Sequence, residues 1–366
     1  MAEGNKKTRD SGMELLRIIS VLMVIGIHLF SKGNYYQNAH EVGGFVGVCS
    51  LGLRLLFRPA VNIFIIITGY YMVKMKFNLK KAYGRVLKLY LTVLFYSVLL
   101  NMVALIGGER FYTVNGETDS VLLIIVRMLL PITYQQWYFI TDYILLCLFA
   151  PFVNIILQNI KKKDYQILLG ISTFVMSIWF TLSEARFLDE IIRTYGFGDI
   201  GDGKNVFSFI YIYAIGGYIR LHTSKNEKPN PIYLLATLGC VFVNGLLATK
   251  LEKILELSDV TLKYSNPLVI LMAVFLLMYF KDLHFYSKIV NTIASATLGV
   301  YIIHEFKYVR VLLWDMFNFN KVDCNNMFMN LVYIVSIIFM VFVAGVIVDL
   351  LRQKLFKMFE RKKRVN

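Results

Sequence analysis

The chain has 366 residues, of which 57% are hydrophobic and only 17% are charged, and its mean hydropathy is +0.59. Soluble domains carry about a quarter charged residues, so this composition excludes an ordinary soluble enzyme. The net charge is +15, but the basic residues lie in alternate loops and form no single face, which argues against nucleic acid as a partner. Repeated apolar runs predict an all-α, polytopic membrane helical bundle.

The apolar runs predict ten transmembrane helices. In chain order they cover 13–31, 59–73, 86–107, 137–157, 165–182, 205–221, 231–249, 265–280, 293–312 and 327–351. Two further apolar segments, 43–57 and 119–133, carry Arg54 and Arg127. We expect these two segments to be interfacial or re-entrant helices.

The distribution of charge predicts the orientation. With the N-terminus inside, 24 of the 39 Lys and Arg residues lie on the cytoplasmic side and 11 on the other, which is the usual bias. The chain, 1–366, is then a single membrane domain in which 13–351 form the transmembrane bundle and 1–12 and 352–366 are cytoplasmic tails. The composition, rich in Ile, Lys, Asn and Tyr, favours a multi-pass protein of a bacterial plasma membrane.

The first span, GMELLRIISVLMVIGIHLF, carries Arg17 and His28. Ionisable residues at membrane depth are costly and usually functional. Eleven residues make about three helical turns, so both side chains are predicted to leave one stripe of the helix, roughly 16 Å apart. Glu14 can pair with Arg17, and Arg17 also suits a phosphate-bearing substrate. A lone histidine can instead simply bind a neighbouring helix.

The second span carries a smaller polar set. Arg58 and Asn62 lie one turn apart near its outer end, followed by Thr68, Gly69 and Tyr70. Arg58 and Asn62 are candidates for substrate binding. Arg58 can also extend to the membrane interface, and the TGY segment can be a notch for helix packing.

A basic segment, KMKFNLKKAYGRVLKLY, follows the second span. Its residues Lys81, Arg85 and Lys88 are spaced so that a helix presents them as one cationic stripe. Such a stripe can hold the phosphates of a nucleotide cofactor. It can also be a topology signal or a contact with anionic lipid.

The fourth span opens with Trp137, Tyr138 and Asp142. The two aromatic residues suit either a membrane-interface belt or a surface for sugar rings. Asp142 lies about one turn into the membrane, where a carboxylate needs a partner.

His304 and Glu305 lie at the outer end of the ninth predicted span. In the predicted topology, His28 and His304 approach the outer half of the membrane from different helices. Two histidines and a carboxylate that converge there would form a proton-transfer site. A surface position for His304 is the alternative.

The cysteines indicate no special chemistry. Cys49, Cys147 and Cys240 lie in apolar segments and Cys324 lies in a loop. No CxxC pair or Cys/His metal spacing is present, so we expect neither a disulfide framework nor a metal site.

Together these segments resemble the acyltransferase 3 family of integral membrane acyltransferases. The resemblance rests on Arg17 and His28, with ten residues between them, and on Glu14 at the acidic position three residues before the arginine. It continues through VNIFIIITGYYMV, with Thr68 where serine is usual, and through WYFITDYILLCLFAPFVN, SFIYIYAIGGYIR and LGVYIIHE. These segments occur in the family's order. The family's basic cluster is usually richer in arginine than the one in this chain.

The resemblance implies an enzyme that moves an acyl group, commonly acetyl, from cytoplasmic acyl-CoA to a hydroxyl of an extracytoplasmic or lipid-linked glycan. His28 is then the base or a transient acyl carrier, helped by Arg17 and Glu14. The donor is expected to contact Arg17, Lys81, Arg85 and Lys88. The acceptor, or a proton relay, is expected to involve Arg58, Asn62, Trp137, Tyr138, Asp142, His304 and Glu305. The expected partners are acyl-CoA, the glycan and membrane lipids, without a metal.

Two other classes of function fit parts of the sequence. A proton-coupled transporter or flippase for a lipid-linked sugar can also carry buried Arg, Asp and His residues. The chain shows no inverted repeat that would favour it. A non-catalytic membrane sensor would leave the spacing of Arg17 and His28 as a coincidence.

Overall fold

The chain is almost entirely helical in a computed structural model. The structure describes residues 10–114, 116–183, 191, 202–251, 260–317 and 326–365. Within these ranges the strands form one small antiparallel hairpin, Thr113–Val114 with Glu117–Thr118. The predicted all-α class is therefore confirmed. Cys324, which the sequence analysis assigned to a loop, lies outside the described residues.

Seventeen α-helices lie within the described residues. They are α1 (Ser11–Lys32), α2 (Tyr35–Val42), α3 (Gly44–Phe57), α4 (Ala60–Met72), α5 (Leu79–Gly107), α6 (Glu109–Tyr112), α7 (Val121–Leu129), α8 (Tyr138–Asn159), α9 (Lys162–Thr173), α10 (Trp179–Ser183), α11 (Val206–His222), α12 (Ile232–Leu246), α13 (Pro267–Phe280), α14 (Lys288–Ala294), α15 (Thr297–Glu305), α16 (Lys307–Phe317) and α17 (Met327–Val365). Single π-helical turns continue α9 and α12, and a 3₁₀ turn precedes α13.

The number of spans differs slightly from the prediction. Eight helical runs in the described ranges are long and apolar enough to cross a membrane, and a ninth is added if the bent pair Lys288–Glu305 and Lys307–Phe317 counts as one span. The predicted span 205–221 corresponds to α11, a helix of 17 residues. That length lies at the lower limit for crossing the hydrocarbon core.

The structure changes the interpretation of the two arginine-bearing segments. Segment 43–57, predicted as an interfacial or re-entrant helix, corresponds to α3, which continues through a short turn into α4. Together they form one apolar run from Gly44 to Met72 that is long enough to cross a membrane. Its Arg54 lies over the ring of Tyr36, at 4.2 Å. Segment 119–133 contains only α7, whose nine residues are too short to span.

The predicted ninth span, 293–312, is broken in the structure. Helix α15 ends at Glu305, Phe306 is extended, and α16 departs at an angle of 80°. A continuous helix was therefore the wrong expectation here. The break matters for the site because it leaves His304 and Glu305 in the last turn of α15, with the start of α16 folded back beside them.

Helix α4 lies at the centre of the bundle and packs against α1, α8, α11 and α13. Its contact with α11 is close because glycines face each other's backbones. A Cβ atom at Gly69 would lie 2.1 Å from the Tyr213 carbonyl oxygen, and one at Gly216 would lie 2.1 Å from the Ile66 carbonyl oxygen. Small residues allow this kind of approach between membrane helices. The TGY segment is therefore a packing notch.

Candidate active site

His28 on α1 meets His304 and Glu305 at the end of α15. Nδ1 of His28 lies 3.1 Å from Nε2 of His304 and 3.0 Å from Oε2 of Glu305. The ring centroids of the two histidines are 5.2 Å apart. Two histidines and a carboxylate thus converge from two helices, and we call these three residues the His–Glu cluster.

The surrounding hydrogen bonds determine which nitrogens carry protons. Nδ1 of His304 lies 2.6 Å from the carbonyl oxygen of Val300, and because a carbonyl only accepts, this nitrogen carries a hydrogen. Nε2 of a neutral His304 then presents its lone pair to His28. Nδ1–H of His28 therefore donates to this lone pair, and Oε2 of Glu305 lies 3.0 Å from the same nitrogen without a hydrogen bond of its own. The remaining nitrogen of a neutral His28, Nε2, keeps a free lone pair.

Arg310 holds the carboxylate from the other side. Its Nη1 donates to Oε1 of Glu305 at 2.6 Å. The sequence analysis counted Arg310 only among the eleven basic residues on the non-cytoplasmic side and missed this role. In a continuous helix, residues five apart point about 140° away from each other, so only the bend after Glu305 allows the contact.

A cavity of about 640 Å³ leads toward the His–Glu cluster between α1, α4, α5, α8, α14 and α15. Arg17, Val21 and Val24 of α1 line it, and His28 follows on the same helical stripe one turn beyond Val24. The structure thus places Arg17 and His28 on one stripe, and the cavity lies along the part of it from Arg17 to Val24 without reaching His28.

One end of the cavity is charged. Glu14, Arg17, Arg85 and Lys88 line it there. Nη1 of Arg17 donates to both carboxylate oxygens of Glu14, at 2.8 and 2.9 Å. Arg85 contacts the Met75 sulfur and a backbone carbonyl, neither of which neutralises its charge. Three cations therefore face one carboxylate, and this end of the cavity is net positive.

The other end of the cavity is aromatic. The ring of Phe139 lies 5.9 Å from that of Phe64 and 5.4 Å from that of Tyr301, and all three line the cavity. Tyr301 in turn lies 6.0 Å from His304, ring to ring. The cavity thus ends one aromatic ring away from the His–Glu cluster.

A comparison of the sequence with protein-family models identifies the kind of protein that carries this site. The acyltransferase 3 model, described as an acyltransferase domain, matches residues 10–350. The chain belongs to the acyltransferase 3 family. The resemblance found in the sequence is confirmed.

One curated relative gives a more distant match. The chain is 24% identical over 335 residues to an Enterococcus faecalis protein named amino-acid racemase. The match covers 86% of this chain and 44% of the relative, so the chain spans less than half of that protein's length. No solved structure matches the chain.

In this family member, two of the predicted acceptor residues hold a neighbouring segment in place. The Arg58 guanidinium donates to the Leu262 carbonyl and lies over the ring of Tyr264, at 4.3 Å. Nδ2 of Asn62 donates to the Tyr264 carbonyl at 2.9 Å. Both side chains thus bind the segment before α13, and a contact with the acceptor stays a prediction.

The predicted sugar-stacking role of Trp137 is wrong. Its side chain is only 2% exposed, so it offers no face to a sugar ring. Nε1 donates to the Ile302 carbonyl at 3.1 Å, and the ring packs 6.0 Å from that of Phe306. Trp137 therefore contacts the chain on both sides of His304 and helps to position the end of α15.

The structure separates the other two residues of the fourth span. Tyr138 is half-buried and packs against the hydrophobic core, and it does not line the cavity. Asp142 makes no hydrogen bond or ion pair with any residue in the described ranges, and it does not line the cavity. The carboxylate that joins the two histidines is therefore Glu305.

Lys81, the third residue of the predicted cationic stripe, is exposed and, unlike Arg85 and Lys88, does not line the cavity.

Proposed function

We propose that the protein transfers an acetyl group from cytoplasmic acetyl-CoA to a hydroxyl of an extracytoplasmic or lipid-linked glycan. The observation that carries the proposal is the orientation of His28. Its Nδ1–H donates to His304 and lies 3.0 Å from the Glu305 carboxylate, so its Nε2 keeps a free lone pair, and His28 lies one turn beyond a cavity with a cationic end.

The cavity suits an acyl-CoA donor. Phosphates of CoA fit the net positive end at Arg17, Arg85 and Lys88, because guanidinium and ammonium groups bind phosphate by charge-assisted hydrogen bonds. The apolar walls fit the uncharged arm that carries the thioester. Lys81 extends the positive charge beyond the cavity on the same helix. The charged end lies where α1 begins, so the predicted orientation directs it to the cytoplasm.

The chemistry follows from the free lone pair on His28. A sugar hydroxyl is a weak nucleophile and needs a positioned base, which contributes about 10²–10⁴-fold to the rate. Nε2 accepts the hydroxyl proton while the oxygen bonds to the thioester carbonyl carbon. The carbon–sulfur bond then breaks, and the CoA thiolate takes the proton from Nε2. The same lone pair serves the alternative route, in which His28 first carries the acyl group.

Glu305 and Arg310 support this cycle without touching the substrate. The carboxylate orients the His28 ring and stabilises its cationic form, as the carboxylate does in Ser-His-Asp sites. Arg310 fixes one carboxylate oxygen, so the other stays directed at His28.

Membranes that carry the protein, incubated with labelled acetyl-CoA and the surface glycan, test the proposal. We expect label on the glycan with the native chain and none with His28→Gln. His40→Gln is the matched control, because His40 lies exposed on α2 and stacks on Tyr36. Full transfer by His28→Gln would remove His28 from the mechanism. Movement of lipid-linked sugar without label transfer would favour the transporter instead.

A further inference from the structure

The His–Glu cluster also has the composition of a metal site. One donor atom from each of its three side chains, two imidazole nitrogens and a carboxylate oxygen, can be chosen so that all lie within 4.8 Å of one another. Around a tetrahedral zinc ion with bonds of about 2.0–2.1 Å, neighbouring ligand atoms lie roughly 3.3 Å apart. The separations of 3.1 and 3.0 Å from Nδ1 of His28 are close to this spacing.

The contacts around the cluster orient the donors as metal ligands require. Nδ1–H of His304 binds the Val300 carbonyl, which directs the Nε2 lone pair toward His28. Arg310 occupies Oε1 of Glu305 and leaves Oε2 to the cluster. Metal-binding histidines typically donate their other N–H to a carbonyl in this way. The His28 and Glu305 side chains keep 14% and 13% exposure, so the cluster is not sealed.

We propose that the His–Glu cluster binds a zinc ion through Nδ1 of His28, Nε2 of His304 and Oε2 of Glu305, and that the bound zinc inhibits acyl transfer. Nitrogen donors favour zinc over magnesium and calcium, which prefer oxygen. Three protein ligands leave a fourth position to water.

Inhibition follows from the protons on His28, and this part rests on the proposed function. A neutral imidazole carries one hydrogen. When zinc replaces the hydrogen on Nδ1, that hydrogen moves to Nε2, and no proton is lost from the ring. Nε2 then has no lone pair and neither accepts a hydroxyl proton nor attacks a thioester.

Metal content tests the binding without any measurement of activity. The full chain, purified in detergent, freed of its affinity tag and stripped by a chelator, is incubated with zinc and desalted. We expect about one zinc per chain in the native protein and in His40→Gln, and none in His304→Gln or Glu305→Gln. Zinc should raise the unfolding temperature of the first two proteins only. Zinc retained equally by native protein and His304→Gln, or by neither, would overturn the proposal.

The effect on transfer is measured separately. Added zinc should reduce label transfer by the native protein, a chelator should restore it, and magnesium should have no effect. Bound zinc with an unchanged transfer rate would overturn the inhibitory role. A native protein that transfers no acyl group would contradict the proposed function, while the metal content would still decide whether the cluster binds zinc.

Discussion

Glu305 ends α15 and Arg310 lies on α16, and the 80° bend between these helices brings Nη1 of the arginine to 2.6 Å from Oε1 of the glutamate. The bend therefore builds the site, because a straight helix would direct the arginine away. His28 approaches the other carboxylate oxygen, at 3.0 Å. Glu305 is thus held between a permanent cation and the proposed base.

Replacing Glu305 with glutamine tests this arrangement. Glu305→Gln keeps the size of the side chain but removes the charge that stabilises protonated His28. We expect kcat for acyl transfer to fall by about 10²-fold or more, with little change in KM for acetyl-CoA, because the cavity is untouched. Asp315→Asn, an exposed acid on α16, should transfer normally. An increase in KM alone would contradict a role in the chemical step.

Arg85 should contribute to donor binding. Arg85→Gln removes a charge from the cationic end of the cavity, and a hydrogen bond to a charged group is worth about 1.5–3 kcal/mol. We therefore expect KM for acetyl-CoA to rise by about 10-fold or more, with kcat nearly unchanged. Lys80→Gln, on the same helix but outside the cavity lining, is the control. Equal effects of both substitutions would mean that only the general positive charge of the surface matters.

Asp119 fastens the loop before α7 to the start of α16. Its Oδ2 accepts hydrogen bonds from Lys307 at 2.6 Å, Tyr308 at 2.9 Å and Arg127 at 2.7 Å. Burial by itself would raise the pKa of Asp119, but these bonds outweigh it and hold the pKa below its ordinary value. The ionised form therefore stabilises the fold. This contribution is present above the ordinary pKa of about 3.9 and is lost as the pH falls through the lower, folded-state value.

The corresponding measurement is thermal unfolding in detergent at several pH values. Asp119→Asn should lower the unfolding temperature at neutral pH by a few degrees, since about 1 kcal/mol shifts it by roughly 2–4 °C in chains of 150–250 residues. The difference from the native protein should shrink in acid. Glu117→Gln, at an exposed position in the hairpin strand just before Asp119, should change the unfolding temperature little. A pH-independent difference would show that the carboxylate charge is not the cause.

The contact between α4 and α11 should be sensitive to a single methyl group. Gly69→Ala would place a Cβ atom 2.1 Å from the Tyr213 carbonyl oxygen, so the helices must separate, and overpacking of this kind costs about 1–3 kcal/mol. We expect a lower unfolding temperature. Gly239→Ala, on α12 with open space around it, should instead stabilise the helix by about 0.5–1 kcal/mol. Equal stability of the two variants would contradict the close approach.

The sequence alone determined the features that depend on short stretches of chain. Apolar runs of about 20 residues predicted the membrane helices, because the hydrophobic core requires that length. The stripe shared by Arg17 and His28 followed from the repeat of a single helix. The order of the short motifs was sufficient to identify the family. The first two of these inferences need only neighbours along one helix.

The tertiary structure decided which helices meet. His28 and His304 are 276 residues apart in sequence but 3.1 Å apart in space, so a search for closely spaced metal ligands did not find the cluster. The break after Glu305 and the burial of Trp137 against α15 also went unpredicted. Helix periodicity says which face of a helix is apolar, but the partner of that face depends on the shapes of distant surfaces, such as the glycine contact between α4 and α11.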